Sequence, residues 1–198
     1  MFKYAIAIIG FCALLVITGC GKAPEQQMQS AETAFDQADQ AETETYASDA
    51  YQMAMDTLNA AKAAKEEADS KFALFRSYGK SRELFVRAEA LVKEAEISAQ
   101  GQKEMVMGEV SGMMTDVKAA LDQAADALNK APRGKGSKAD IELIKNDLHA
   151  ANVAYEEAKM DFEAGRYMAA KTKLQAIKNK AQSISDEIAK AAAKKAGR

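Results

Sequence analysis

Two cysteines, one histidine and ten methionines are the residues of this 198-residue chain with the most chemistry to offer. Cys12 sits inside a long apolar run and Cys20 closes it. Nucleophilic catalysis needs an activated Ser, Cys or Lys beside a positioned base. The only imidazole, His149, falls on a stretch with helical spacing, where a solvated surface histidine is the simple reading. Carboxylates are abundant, but Glu-rich helices carry them for solubility and for i,i+4 ion pairs. No Gly-rich phosphate loop follows a strand, because no Val-Thr-Ile-rich alternating run is present. Met105, Met107, Met113 and Met114 gather around Gly108-Glu109-Val110-Ser111-Gly112. Thioethers favour Cu(I), so the alternative function is a periplasmic binding module with a Met-rich copper site. Flexible packing is the other use of such methionines, and on a helix Met105 and Met107 point to different faces. The expectation is a non-enzyme with no catalytic residue, no cofactor and no metal site.

The amino terminus has a different logic. Lys3 is the only charge before Lys22, and Ala5 to Ile17 is apolar throughout, interrupted only by Gly10. A basic start, an apolar run and then small residues form the layout of an export signal. Length alone would also allow a membrane span. The ending, Ile17-Thr18-Gly19-Cys20, resembles the lipobox of bacterial lipoproteins: an aliphatic residue, two small ones and an obligatory cysteine. That resemblance implies removal of residues 1–19, a diacylglyceryl group on the Cys20 sulfur and acylation of the new amine. Each buried CH₂ adds about 0.8 kcal/mol, so several chains on one cysteine hold a protein at the membrane. Gly21 stands where an Asp often retains such lipoproteins in the inner membrane, which implies the periplasmic face of the outer membrane. Residues 20–27 then read as a short tether. Maturation leaves no cysteine for a disulfide, so helix packing alone must stabilise the body. Loss of Lys3 takes the net charge from −2 to −3, which gives nucleic acid no electrostatic footprint. The basic tail with Lys190, Lys194, Lys195 and Arg198 suits the negative end of a helix dipole.

The body must be built from helices. Alanine supplies roughly a fifth of the residues, Glu, Lys, Gln and Leu are also frequent, and the only prolines are Pro24 and Pro132. Apolar residues recur at spacings of three and four. Met28, Ala31, Phe35 and Ala38 start one stripe, and Tyr51, Ala54, Leu58, Ala61, Ala64, Ala68, Phe72 and Phe75 trace a second. Phe85, Ala88, Val92 and Ala95 give a third, which Val106 to Leu128 either extend or partner. Ile141 to Phe162 and Ala170 to Ile188 supply two more. Ser48 is expected to cap the second helix. Ser77-Tyr78-Gly79-Lys80 and Ala164-Gly165-Arg166 read as turns, and Ala131 to Lys138 as the clear linker. Ser137 and Asp140 then resemble a capping box.

The two sides of the linker resemble each other. With a shift of ninety positions, Leu58, Ala61 and Ala64 fall on Leu148, Ala151 and Ala154, Glu66-Glu67-Ala68 on Glu156-Glu157-Ala158, Phe72 on Phe162 and Arg76 on Arg166. With one residue dropped at the turn, Tyr78, Ser81, Phe85, Ala88 and Val92 meet Tyr167, Ala170, Leu174, Ile177 and Ala181. This predicts an all-α fold of long antiparallel helical hairpins, in two duplicated units packed as a bundle: 28–130 with its N-terminal helix, a 131–138 linker, and 139–198. Phe72 and Phe162 are expected to be buried against Phe85 and Leu174. The body, including the Tyr46-Ala47 pair, resembles Ala-rich helical lipoprotein domains of bacterial envelopes, and its return helices resemble those of tetratricopeptide-like hairpins. The resemblance brings no known activity; the expected role is a lipid-anchored helical scaffold that meets an envelope protein or a second copy of itself, with the membrane as partner through Cys20.

Overall fold

Alanine, glutamate, lysine and leucine give up little side-chain entropy in a helix, and a chain this rich in them folds accordingly. The computed structural model describes residues 21–131 and 138–196. Every element among them is helical: α1 (Glu25–Gln40), α2 (Thr43–Tyr46), α3 (Ser48–Asp69), a 3₁₀ turn (Ala73–Phe75), α4 (Gly79–Lys130), α5 (Lys138–Glu163) and α6 (Tyr167–Ala196). The fold class is all-α.

The chain divides into two compact units, Met1–Gln102 and Lys103–Arg198. In the first, Ala31, Ala34, Phe35 and Ala38 of α1 share a core with Tyr51, Ala54, Leu58 and Ala61 of α3 and with Phe85, Ala88 and Val92 of α4. The rings of Phe35 and Tyr51 meet edge to face at 5.8 Å. In the second, the buried apolar residues of the helices are Val106, Val110, Val117, Leu121 and Ala124 of α4, Ile144, Leu148, Ala151 and Ala158 of α5, and Ala170, Leu174, Ile177, Ala181, Ile184 and Ile188 of α6. Ion pairs tie its elements together: Lys171 to Glu109 at 2.7 Å, Lys173 to Asp161 at 2.9 Å and Lys180 to Asp147 at 2.6 Å.

Several boundaries differ from the sequence reading. The division between units falls inside α4, not at 131–138. The third stripe and the Val106 to Leu128 stripe belong to one uninterrupted helix, and its later part is buried in the second unit. Residues 132–137, including the Ser137 cap, lie outside the described residues, and Lys138 already opens α5. The tether is shorter than 20–27: Glu25, Gln26 and Gln27 are helical, and the buried Pro24 precedes them. Pro24 accepts the first hydrogen bond, from the Met28 amide at 2.9 Å, and its fixed φ suits a helix start. Ser48 does not cap α3. It is the first helical residue, Ala47 holds the cap position, and no side chain bonds there.

Burial repeats with the same shift as the sequence. Each position from 58 to 70 matches its counterpart from 148 to 160 as buried, half-buried or exposed. Positions 81–99 match 170–188 everywhere except at 89 and 178. Core volumes are redistributed within the match: Val92 stands for Ala181, and Ala95 for Ile184.

Candidate functional site

The residues singled out for chemistry do not converge. His149 is exposed on α5. Met105 and Met107 are exposed, Met113 and Met114 half-buried, and all four ride on the single helix α4. On a continuous helix the two pairs that share a face, Met107 with Met114 and Met105 with Met113, stand about 10–12 Å apart along the axis. That spread gives one copper ion no common centre. Among the described residues no group of three His, Cys, Asp or Glu side chains could hold a metal. Cys20, the expected lipidation residue, lies outside the described residues, and none of the described helices is long and apolar enough to cross a membrane.

Three corners among the described residues are each centred on an aspartate. At the first, the Tyr51 hydroxyl donates to Asp39 Oδ1 at 2.5 Å. Burial first, then the Asp39 carboxylate, pushes the Tyr51 phenol up to about 12. The α1–α3 connection it braces is strained at one point: Glu42 takes a left-handed φ of 59°. The Thr43 hydroxyl beside it is fully buried with no hydrogen-bond partner.

At the corner between α3 and α4, Asp69 accepts hydrogen bonds from the Tyr78 hydroxyl and from Lys65 Nζ, the latter at 3.1 Å. The Tyr78 bond, then the lysine, holds its carboxyl below the usual aspartate range. α3 stops here because Ser70 Oγ donates to the Glu67 carbonyl at 2.8 Å, offering the backbone a local alternative to the next helical turn. Phe72 is already extended, and Arg76 donates to the freed carbonyls of Lys71 (3.0 Å) and Asp69 (3.2 Å).

The corner between α5 and α6 is tight. Gly165 takes φ +77°, its amide bonds to the Phe162 carbonyl, and the Arg166 amide bonds to the Asp161 carbonyl. This pair of bonds is the Schellman helix stop, which favours glycine at the left-handed position. The Asp161 side chain is almost fully buried between Arg166 (2.6 Å) and Lys173 (2.9 Å), which keep it ionised to lower pH than usual, the lysine foremost.

The expected burial of both phenylalanines fails. Phe72 is 70 % exposed, because the second stripe ends at Ala68 and does not reach Phe72 or Phe75. Phe162 is only half-buried, with its ring 5.3 Å from that of Tyr167 at the start of the return helix. It also lines a shallow groove with Met114, Lys118 and Tyr155. The sequence reading missed that Phe72, Leu74 and Phe75 stand together in solvent. The available signal was three large apolar residues in four positions, directly after Ser70-Lys71, which no single helix face can bury. Compared with protein-family models, with curated proteins and with solved structures, the chain matches none.

Proposed function

We propose that the chain is a lipid-anchored protein of the bacterial envelope whose helical body is a non-catalytic scaffold for an envelope protein partner or a second copy. The observation that carries this reading is the Ile17-Thr18-Gly19-Cys20 sequence at the end of an apolar run headed by Lys3. The short stretch from Gly21 to Pro24 before α1 supports it, since it sets the body close to Cys20. The charged outer faces of long helices, ion-paired at i,i+4 as in Lys93 to Glu89 and Lys71 to Glu67, suit a scaffold. Gly21 after the cysteine favours the periplasmic face of the outer membrane. The matched burial along 58–70 and 148–160 supports a duplication of the helical pair within the body.

Metabolic labelling with a fatty acid tests the anchor. Wild-type protein takes up label, and Cys20→Ser stays as an unlabelled, unprocessed precursor. Label retained by the mutant overturns the reading. Membrane fractionation of Gly21→Asp tests the location, with movement to the inner membrane as the expected result.

A further inference from the structure

Resting on the lipid-anchor reading, we propose that the Ser70–Tyr78 corner is a second membrane contact, with Phe72, Leu74 and Phe75 entering the headgroup boundary of the bilayer that holds the Cys20 lipid.

Three observations carry it. The first is exposure. Phe72, Leu74 and Phe75 are 70 %, 83 % and 75 % exposed, and every residue from 71 to 77 is in solvent. Three large apolar side chains on one turn are costly to leave wet, and such clusters mark contact surfaces.

The second is charge. From Ser70 to Arg82 the ionisable side chains with a formal charge are Lys71, Arg76, Lys80 and Arg82, with no acid among them. The acids of the preceding turn are largely engaged: Glu67 with Lys71 at 2.8 Å, and Asp69 with Lys65 and Tyr78. Apolar tips flanked by long cationic side chains match an anionic lipid surface, where the rings sit below the headgroups and the cations stay level with the phosphates. A second copy is a poorer occupant. Lys71 is paired with Glu67, but self-docking through this tip would still bring Arg76, Lys80 and Arg82 up against their own copies, and like charges oppose that.

The third is place. Arg82 Nη2 donates to the Lys22 carbonyl at 3.2 Å, and Lys65 pairs with Glu25 at 3.5 Å. The start of the described chain therefore lies against this corner. Gly21, the covalent neighbour of Cys20, is a single residue from that contact. Lipid and apolar tip thus share one end of the first unit, and a second attachment beside the lipid fixes the unit's orientation as a single flexible tether does not.

The chain contains no tryptophan, so one substitution gives a clean reporter. The mature protein carrying Phe75→Trp is reconstituted into vesicles of phosphatidylethanolamine and phosphatidylglycerol, with and without brominated acyl chains. Ile97→Trp is the control, because Ile97 is equally exposed but lies roughly 27 Å along α4 from Gly79. The expected result is a blue-shifted Phe75→Trp emission that loses about half its intensity to bromine, as fits a depth of about 5–10 Å, while Ile97→Trp is unchanged. Neutral phosphatidylcholine vesicles are expected to weaken the quenching. Protein that floats with the vesicles but shows no bromine quenching overturns the second contact and leaves the anchor standing. Protein that does not float overturns both. A blue shift that grows with protein density and ignores bromine assigns the tip to a second copy and also overturns the proposal.

Discussion

The corner after α3 and the corner after α5 occupy matching places between matching helices, yet one is open and the other closed. From Leu58 to Ser70 and from Leu148 to Met160 the two segments share their burial position by position. Beyond that point α3 has already ended at Asp69, whereas α5 continues to Glu163. The difference traces to few residues. Asp161 is matched by Lys71, and Lys173, which grips Asp161, is matched by Leu84. Arg166 therefore finds a buried carboxylate within its own corner. Arg76, its counterpart, finds only backbone carbonyls and binds a helix end that has come apart. One polar triad decides whether the last helical turn is held, and its absence leaves three apolar residues in solvent.

The largest expected effects fall on the shared part of the comparison. Phe85 and Leu174 hold equivalent positions and are both fully buried. Phe85→Ala should cost about 3–5 kcal/mol and Leu174→Ala about 2–5 kcal/mol, with correspondingly large losses in melting temperature by circular dichroism. Phe72→Ala, in contrast, should barely move the melt, since its ring is mostly in water already. A large loss for Phe72→Ala would mean that this corner closes as the other does.

Exchanging the corners' chemistry should give an intermediate effect. Asp161→Lys places a cation between Arg166 and Lys173 and should unwind about one turn at the end of α5, read as lost helical ellipticity and a lower melting temperature. The pH dependence follows with a definite sign. The Asp161 carboxyl is held below its ordinary value of 3.8 by Lys173 and Arg166, so its contribution is complete above that pH and is lost as acid protonates it. Wild type should therefore lose stability on acidification through this range more steeply than Asp161→Asn. Parallel acid profiles would show that the triad does not hold the corner.

The smallest effects separate two kinds of glycine. Gly165 sits at φ +77°, where Gly165→Ala should cost roughly 1 kcal/mol. Gly108 lies inside α4 with open space where a methyl group would go, so Gly108→Ala should add about 0.5–1 kcal/mol. Urea melts resolve both, and a shared sign would contradict the backbone assignments.

Much of the fold was legible because it depends on period and composition. Phe35, Leu58, Phe85, Val110, Leu174 and Ile184 lie on stripes spaced by three and four, and all are buried. The Ala164-Gly165 turn was legible because only glycine readily takes the left-handed stop. Phe72 and Phe75 also continue a stripe, but spacing cannot register that Ser70 diverts the Glu67 carbonyl or that Lys71 stands where a carboxylate would bind Arg76. The division of the units was hidden for a related reason. Linker composition at 131–138 is visible in sequence, whereas the partners of each segment of a 52-residue helix are set by tertiary packing. The braces Tyr51 to Asp39 and Tyr78 to Asp69 span 12 and 9 residues, beyond the reach of helical spacing rules.

Hydrogen–deuterium exchange with peptide resolution tests the account most directly, because it reads both corners in one sample. Peptides covering 71–77 should exchange within seconds, and those covering 157–163 should stay protected like the helix they extend. Protection of both, or rapid exchange of both, would contradict the claim that the corner after α3 is open and the corner after α5 is closed.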